Sequence, residues 1–535
     1  MMIAELTGTK HCSQHKHLIK YFWFIFCFTL AVIVRTYKIS DIPYGIHIDE
    51  AGMAYDAWAL QKYHVDRWLN SFPVYLINFG GGQSALYAYL CAIFIKVFGK
   101  GEWNVIWMRM PGVILNLAGY IAGVQIIGKV FEEKWKMFSA FVLAILPYFI
   151  MQCRFGLDCN LLVSMLTISL CLLCYSLEYR KTWMFLLTGI IYGATYYAYA
   201  LSYIPNTLLL LFITVYLLTK DRHLFVKMMY IWISAGIIAF PLVLMILVNQ
   251  FDLPQIQIGI ITITKIPGYR GSEFVFELPT ILKNSGIVLS SILTKDWIDY
   301  NAFEKYYTMY RVSIPFIFLG FYDCTKNAIK NIKERNADID YSLFLWVTFI
   351  LYFILGCCLG GNYANINKLN GIFFAQFFLL IWGIRKLYYL IVKKYAKLAK
   401  VLGGLLCAVY LFDFISFTQY YFRDYATNIY PQYLFADTYE GILEHLEENN
   451  LMNTQIYVPN SYIYHMLSAN SDPYEVNLRD RGTQYIANFY FDSFDGIDSS
   501  AVYILRETDT ERIKMLQESG FQLQYKEGMY HCYYK

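Results

Sequence analysis

Runs of about twenty apolar residues recur through the first 420 positions, broken by short polar or basic connections, and then give way to a mixed pattern. A run of that length crosses the hydrocarbon core of a bilayer as a helix. The pattern predicts spans at 19–37, 105–128, 136–153, 160–178, 183–200, 204–220, 225–248, 309–324, 342–360, 370–390 and 400–418. The weakest is 309–324, a short apolar core between Arg311 and Asp323. Basic residues bunch in alternate connections: Lys10, Lys16 and Lys20; Lys129, Lys134 and Lys136; Arg180 and Lys181; Lys220, Arg222 and Lys227; Lys326, Lys330, Lys333 and Arg335; then densely from Arg385 to Lys400. The positive-inside rule makes these connections cytoplasmic. Counting the apolar run 84–98 as a crossing would put 129–136 outside. The run is also short for a span, so it reads as an interfacial or half-inserted helix on the outer side. About eleven crossings result, with the amino terminus in the cytoplasm and the carboxyl terminus outside.

The expected fold is an all-α polytopic membrane protein with a C-terminal extracytoplasmic α/β domain. Residues 1–18 form a cytoplasmic segment, 19–420 the transmembrane module and 421–535 the outer domain. In that domain 454–459 and 501–506 read as buried strands and 439–448 as an amphipathic helix. Thr508 and Glu511 have the spacing of a capping box opening a helix that Gly520 ends. Substrate binding, partner binding and stabilisation are equally open roles for it. Two long outer loops, 38–104 and 249–308, gather most of the unusual polar residues, whereas the inner connections are short and basic.

Composition agrees. Of 535 residues, 57% are hydrophobic and 16% charged, more apolar surface than a soluble chain of this length would bury. The net charge of +4 is small, and no nucleic-acid partner is expected. Most of the 12 cysteines lie inside apolar runs and follow neither a disulfide nor a metal-ligand pattern. The first apolar run is too long for a signal peptide, lacks a small-residue cleavage site and reads as a retained span.

The chemistry concentrates at Asp49 and Glu50, adjacent carboxylates about a dozen residues beyond the first span. One reading is a helix amino-terminal pair, which acidic residues favour. The other is a general base for an acceptor hydroxyl, or an anchor for a divalent ion that His47 could join. Arg109, near the outer start of the second span, either snorkels to the headgroups or neutralises a lipid phosphate. Arg154 and Asp158 could be a salt bridge that shapes their loop. Alternatively Arg154 is a phosphate fork, with Asp158 orienting it or meeting a sugar hydroxyl. Asp296, Asp299 and Asn301, beside Trp297 and Tyr300, have the composition of a sugar site and equally of an interfacial loop. Lys368, the cation of an outer turn, could bind a phosphate or a headgroup, and Asp413 reads as a snorkelling residue.

Together these elements resemble the large membrane glycosyltransferases that use polyprenyl-phosphate sugars, the GT-C group of protein O-mannosyltransferases and their aminoarabinose-transferring bacterial relatives. The resemblance covers about 19–420. It rests on His47-Ile48-Asp49-Glu50-Ala51 in the first outer loop, an interfacial helix, Arg109-Met110-Pro111-Gly112, and Arg154 with Asp158 after Pro147. It implies that Asp49 is the base or anchor, that Glu50 helps position the acceptor, and that Arg109, Arg154 or Lys368 holds the donor phosphate. His47, Asp158, Asp296, Asp299 and Asn301 would contact substrate. It implies a polyprenyl-phosphate sugar donor, a glycan, lipid or protein acceptor at the cell surface, membrane lipids as surroundings, and a bacterial plasma membrane. No cofactor is required, although a divalent metal, with Asp49 as a ligand, is compatible. The lysine-proline-proline element of some lipid A-modifying members is replaced here by Gly81-Gly82-Gln83-Ser84, which disfavours a lipid A acceptor. Competing readings are a transporter or flippase, or a polymerase or ligase, for lipid-linked sugars. The first would place polar groups at the bilayer midplane with internal symmetry, neither of which the sequence has.

Overall fold

The computed structural model describes residues 2–269, 274–295, 301–333, 338–359, 365–425, 434–491, 494 and 496–535. The chain opens with a helix, α1 (Met2–Thr36), and a short strand, β1 (Ile46–His47), that runs directly into α2 (Ile48–Tyr63). A hairpin, β2 (Tyr75–Asn78) and β3 (Gly81–Ser84), precedes α3 (Leu86–Val97). The helices α4 (Val105–Val130), α5 (Glu133–Ile145), α6 (Pro147–Met151), α7 (Asn160–Tyr179), α8 (Thr182–Thr195), α9 (Tyr203–Lys220) and α10 (Leu224–Gln250) follow. A second hairpin, β4 (Ile256–Ile258) and β5 (Ile261–Ile263), and α11 (Leu278–Leu293) lie in the long loop. The bundle ends with α12 (Ile314–Lys333), α13 (Ser342–Cys357), α14 (Phe373–Val392) and α15 (Ala396–Gln419).

The protein is a multi-pass, largely helical membrane protein. Among the described residues, seven helical stretches are long and apolar enough to cross a membrane, not the eleven expected: Leu18–Thr36, Val105–Val130, Asn160–Tyr179, Ala200–Lys220, Leu224–Gln250, Asn370–Val392 and Ala396–Asp424. The other four expected spans also fall on helices, but on shorter or more polar ones. The run 136–153 is divided because the residue before a proline avoids the helical region; Leu146 is extended (φ −69°, ψ 134°), and Pro147 starts α6. The helices α8 and α13 have 14 and 16 residues.

The weakest expected span is displaced along the chain. α12 begins at Ile314 and runs into the polar segment containing Asp323, Lys326 and Lys330. Its packing on α14 explains why it is helical. A Cβ on Gly320 would lie 1.9 Å from the Leu379 carbonyl oxygen, and one on Gly383 would lie 1.9 Å from that of Phe316, so only glycine permits this approach. Asp323 is neutralised across the same contact by Lys386 at 2.6 Å and by the Trp382 indole N–H at 3.0 Å.

The loop 38–104 is more structured than expected. The helix foreseen at 84–98 is α3, whose 12 residues reach about 18 Å, too short for a crossing. Before it, Phe79 and Gly80 both have positive φ (47° and 75°), the turn that a two-residue hairpin needs. The pairing sets Asn78 opposite Gly81 and Tyr75 opposite Ser84. The hairpin β4–β5 and helix α11 in 249–308 were not expected. Asp296 and Asp299 lie outside the described residues.

The C-terminal region is built on a six-stranded mixed sheet. It contains β7 (Ile456–Tyr457), β8 (Tyr485–Ile486), β9 (Phe489–Tyr490), β10 (Val502–Arg506), β11 (Gln522–Glu527) and β12 (Tyr530–Tyr534), in the order β11-β12-β10-β7-β9-β8. The two expected strands supply β7 and β10. The expected helix at 439–448 is Glu440–Glu448. The capping box does not form: the last helix is Thr510–Glu518, with Asp509 at its amino-terminal cap making no side-chain cap bond. One short strand, β6 (Phe435–Ala436), leaves the sheet and pairs with β1.

The α12–α14 contact generates a stability prediction. Gly383→Leu should separate the two helices and destabilise the protein by about 1–3 kcal/mol or more. Gly403→Ala, where a Cβ meets nothing within 4 Å, should stay within about 1 kcal/mol of wild type. Thermal unfolding in detergent compares the two.

Candidate active site

The adjacent carboxylates have opposite environments. His47 caps α2: its Nδ1 accepts the Asp49 N–H at 3.1 Å, while its own N–H is donated to Glu50 Oε2 at 3.2 Å. Both acids therefore occupy the first turn of a helix, where the peptide dipoles favour negative charge. Beyond that turn they diverge. Glu50 is 1% exposed and forms a two-pronged ion pair with Arg109, Nε to Oε1 at 2.9 Å and Nη2 to Oε2 at 3.1 Å. Its Oε1 also accepts the Gly156 N–H at 2.7 Å.

Arg109 uses all five of its N–H donors inside the protein. Besides the two to Glu50, Nη1 donates to the carbonyls of Ile39 (2.9 Å) and Pro43 (3.2 Å), and Nη2 to that of Gly45 (2.7 Å). This corrects the expectation that Arg109 snorkels or holds a lipid phosphate: its fork is filled. Glu50 is equally engaged, which removes it from contact with an acceptor. Arg154 is corrected in the same way. Fully buried, it donates to the carbonyls of Val34, Tyr37, Lys38 and Ile42 at 2.6–3.2 Å and lies over the rings of Tyr421 and Phe422. It therefore gathers the carbonyls at the end of α1 instead of pairing with Asp158.

Asp49 faces outward, with its side chain 39% exposed. Its Oδ1 accepts from Asn78 Nδ2 at 2.9 Å, and its Oδ2 lies 3.8 Å from His47 Nδ1. Asp158 sits at the other end of the same hairpin, accepting the Ser84 N–H and the Cys159 N–H at 2.8 Å each. The β2–β3 hairpin thus joins two carboxylates, Asn78 holding one and Ser84 the other. Burial pushes the Asp158 carboxyl up to about 7, and the nearby charge of Asp49 adds to the shift. His47 is buried against Phe435, ring centroids 5.2 Å apart, and burial lowers its pKa, so the neutral imidazole serves as a cap. Among the described residues no group of three or more His, Cys, Asp and Glu side chains could hold a metal ion.

Other connecting segments converge here. Asn370 donates to Asn160 Oδ1 at 3.3 Å and accepts from the Tyr148 hydroxyl, which ties the turn containing Lys368 to the Asp158 turn. Asn301 joins that turn through Asn367, and Lys368 is half-buried in it. The C-terminal region closes the other side. β6 pairs Phe435 with His47 and Ala436 with Ile46, Ile48 N–H donates to Leu434, and the Tyr464 hydroxyl donates to Ile46 at 2.8 Å.

With this geometry in view, comparison with known proteins identifies the architecture. The family model for dolichyl-phosphate-mannose-protein mannosyltransferase matches residues 83–248. No curated protein matches the chain. The crystal structure of ArnT from Cupriavidus metallidurans bound to undecaprenyl phosphate superposes with a TM-score of 0.51 at 11% identity, over 96% of this chain and 97% of that one. Its apo form gives a TM-score of 0.51 at 10% identity over the same shares. The oligosaccharyltransferase AglB from Archaeoglobus fulgidus follows at a TM-score of 0.49 and 11% identity, over 90% of this chain and 62% of that one. The chain has a GT-C glycosyltransferase fold.

Within this GT-C fold, sequence reasoning overlooked several polar groups beside the two carboxylates. Asn78 Oδ1 and Gln83 Oε1 are buried acceptors with no hydrogen-bond partner among the described residues, and the buried hydroxyl of Tyr203 likewise has none. The available signal was the Asn78-Phe79-Gly80-Gly81 turn, which marks a hairpin ending at these positions.

Asp158 also sets a pH dependence. A carboxyl that ionises near 3.8 when unfolded and about 7 when folded holds its proton more tightly in the folded protein, so stability falls as pH rises between those values. Asp66, buried and next to Asp56, is likewise raised to about 7 and adds to the fall. Asp158→Asn should flatten the decline in melting temperature between about pH 4 and 7 without abolishing it. Melting curves across that range would contradict this if wild type and variant had the same slope.

Proposed function

We propose that this protein transfers a monosaccharide from a polyprenyl-phosphate sugar to a cell-surface glycan, lipid or protein. The reaction takes place on the outer face of a bacterial plasma membrane. The amino terminus is cytoplasmic and the C-terminal domain extracytoplasmic, and the four shorter or more polar helices bring the crossings to about eleven. The family match and the fold support the reaction class. The observation that carries the assignment of roles is the split between the paired acids: Glu50 is locked to Arg109, while the Asp49 side chain is 39% exposed beside Asn78, which donates to it.

In this reading Asp49 takes the proton from an acceptor hydroxyl whose oxygen attacks the anomeric carbon. The bond from that carbon to the phosphate oxygen breaks, and polyprenyl phosphate leaves as an anion. A single displacement inverts the anomeric centre. Asn78, Gln83, Ser84 and Tyr203 offer hydrogen-bonding groups to sugar hydroxyls. The donor phosphate is assigned to Lys368, whose half-buried turn is tied to the Asp158 segment. A divalent cation, if one takes part, would be met by the exposed carboxylate of Asp49, a hard oxygen donor. Such an ion would supply charge neutralisation at the leaving phosphate.

Replacing Asp49 with Asn in the native host tests the proposal. The variant should be produced at the wild-type level, accumulate a lipid-linked monosaccharide and lose one surface glycan decoration, as a deletion strain does. Wild-type decoration by Asp49→Asn, beside a deletion strain with a phenotype, would overturn the role of this carboxylate.

A further inference from the structure

The β4–β5 hairpin follows directly from the end of α10, and the apolar side chains at its tip are exposed, whereas Ile263 at its inner edge is buried. Phe251 is 67%, Ile258 51% and Ile260 66% exposed. From Leu253 to Thr264 there is no charged residue. The flanking charges, Asp252 and Lys265, face each other across the base of the hairpin at 2.9 Å. An apolar tip of this kind in water would be a site of association, whereas acyl chains would cover it.

Two further observations identify hydrocarbon as the occupant. First, the exposed apolar surface is continuous with that of α10, a membrane-length helix whose Val243 and Leu247 are similarly exposed. Second, the polar side chains of the tip are satisfied within the hairpin. Gln257 donates from Nε2 to the Gly259 carbonyl at 3.0 Å and accepts at Oε1 from the Thr262 hydroxyl at 2.7 Å. Internal satisfaction of polar groups is what a segment needs where no water is available.

We propose that this hairpin is seated among the acyl chains of the leaflet on the Asp49 side, with Asp252 and Lys265 at headgroup level. Its inner edge is bonded to the first outer loop. Val74 N–H donates to Thr262 (2.9 Å) and Thr262 N–H donates to Ser71 (3.0 Å); just beyond the hairpin, Gly268 N–H donates to Gly80 (2.7 Å), at the tip of the hairpin that carries Asn78. The lipid-seated hairpin thus fixes the height of the Asn78–Asp49 floor relative to the bilayer surface.

The test places a benzophenone amino acid at Ile258 or Ile260 of the full chain, in vesicles of phosphatidylethanolamine and phosphatidylglycerol, with Glu448, exposed in the C-terminal region, as the control. After illumination, mass spectrometry should find phospholipid adducts at both isoleucines at roughly ten times the Glu448 yield. Lipid adducts no more frequent than at Glu448, or adducts to a second copy of the chain, would overturn the proposal. Adduct formation does not depend on sugar transfer, so failure here would leave the proposed reaction untouched.

Discussion

The region around Asp49 is organised by one buried ion pair, Glu50 with Arg109. A charge pair removed from water is stable only when nearly every donor and acceptor is matched, and losing one partner costs about 3–5 kcal/mol. Here the match is complete on the arginine side, with two bonds to Glu50 and three to the carbonyls of Ile39, Pro43 and Gly45. On the other side Glu50 reaches the Gly156 N–H and the His47 N–H. One interaction therefore fastens the end of the first span, the start of α2 and the turn that leads to Asp158. Asp49 inherits its position from its neighbour.

The C-terminal region belongs to the same construction. Its strand β6 pairs with the two residues before α2, and Phe435 packs its ring against the capping imidazole of His47. A second attachment lies deeper. Asp56 and Arg67 form a buried ion pair that accompanies α2, and Arg67 also reaches the Tyr462 hydroxyl of the C-terminal region at 3.4 Å. Gly52 is required beside them, since a Cβ would lie 2.6 Å from the Arg67 guanidinium. The region left without a role by its sequence thus helps hold the helix that bears the proposed base.

Much of this was legible in the chain, and the failures share one cause. The long apolar runs are local signals, and they led to helices at all eleven expected positions, seven of them of membrane length among the described residues. Which carboxylate is buried depends on Arg109 and Gly156, which are distant in sequence, so adjacency could not separate the two acids. Arg109 and Arg154 read as phosphate ligands because a cation near a membrane face has that meaning in isolation; the carbonyls they bond come from the end of α1 and the connection after it. Pro147 did announce the break in the third expected span, but the apolar run around it concealed the signal. The pairing of β6 with β1 joins two-residue strands, too short to leave any periodicity.

The most direct test of the central claim separates the stability of the Glu50–Arg109 contact from its positioning effect. Glu50→Leu and Arg109→Met are made singly and together, and thermal unfolding and sugar transfer to the surface acceptor are measured on each. Each single variant should be strongly destabilised. The double variant, in which an apolar contact replaces the ion pair, should regain most of the lost stability, because no buried charge is left unpaired. Its transfer should nevertheless remain below about a tenth of wild type, since the bonds to Ile39, Pro43, Gly45 and Gly156 that position Asp49 are gone. A double variant that is both stable and fully active would contradict the account.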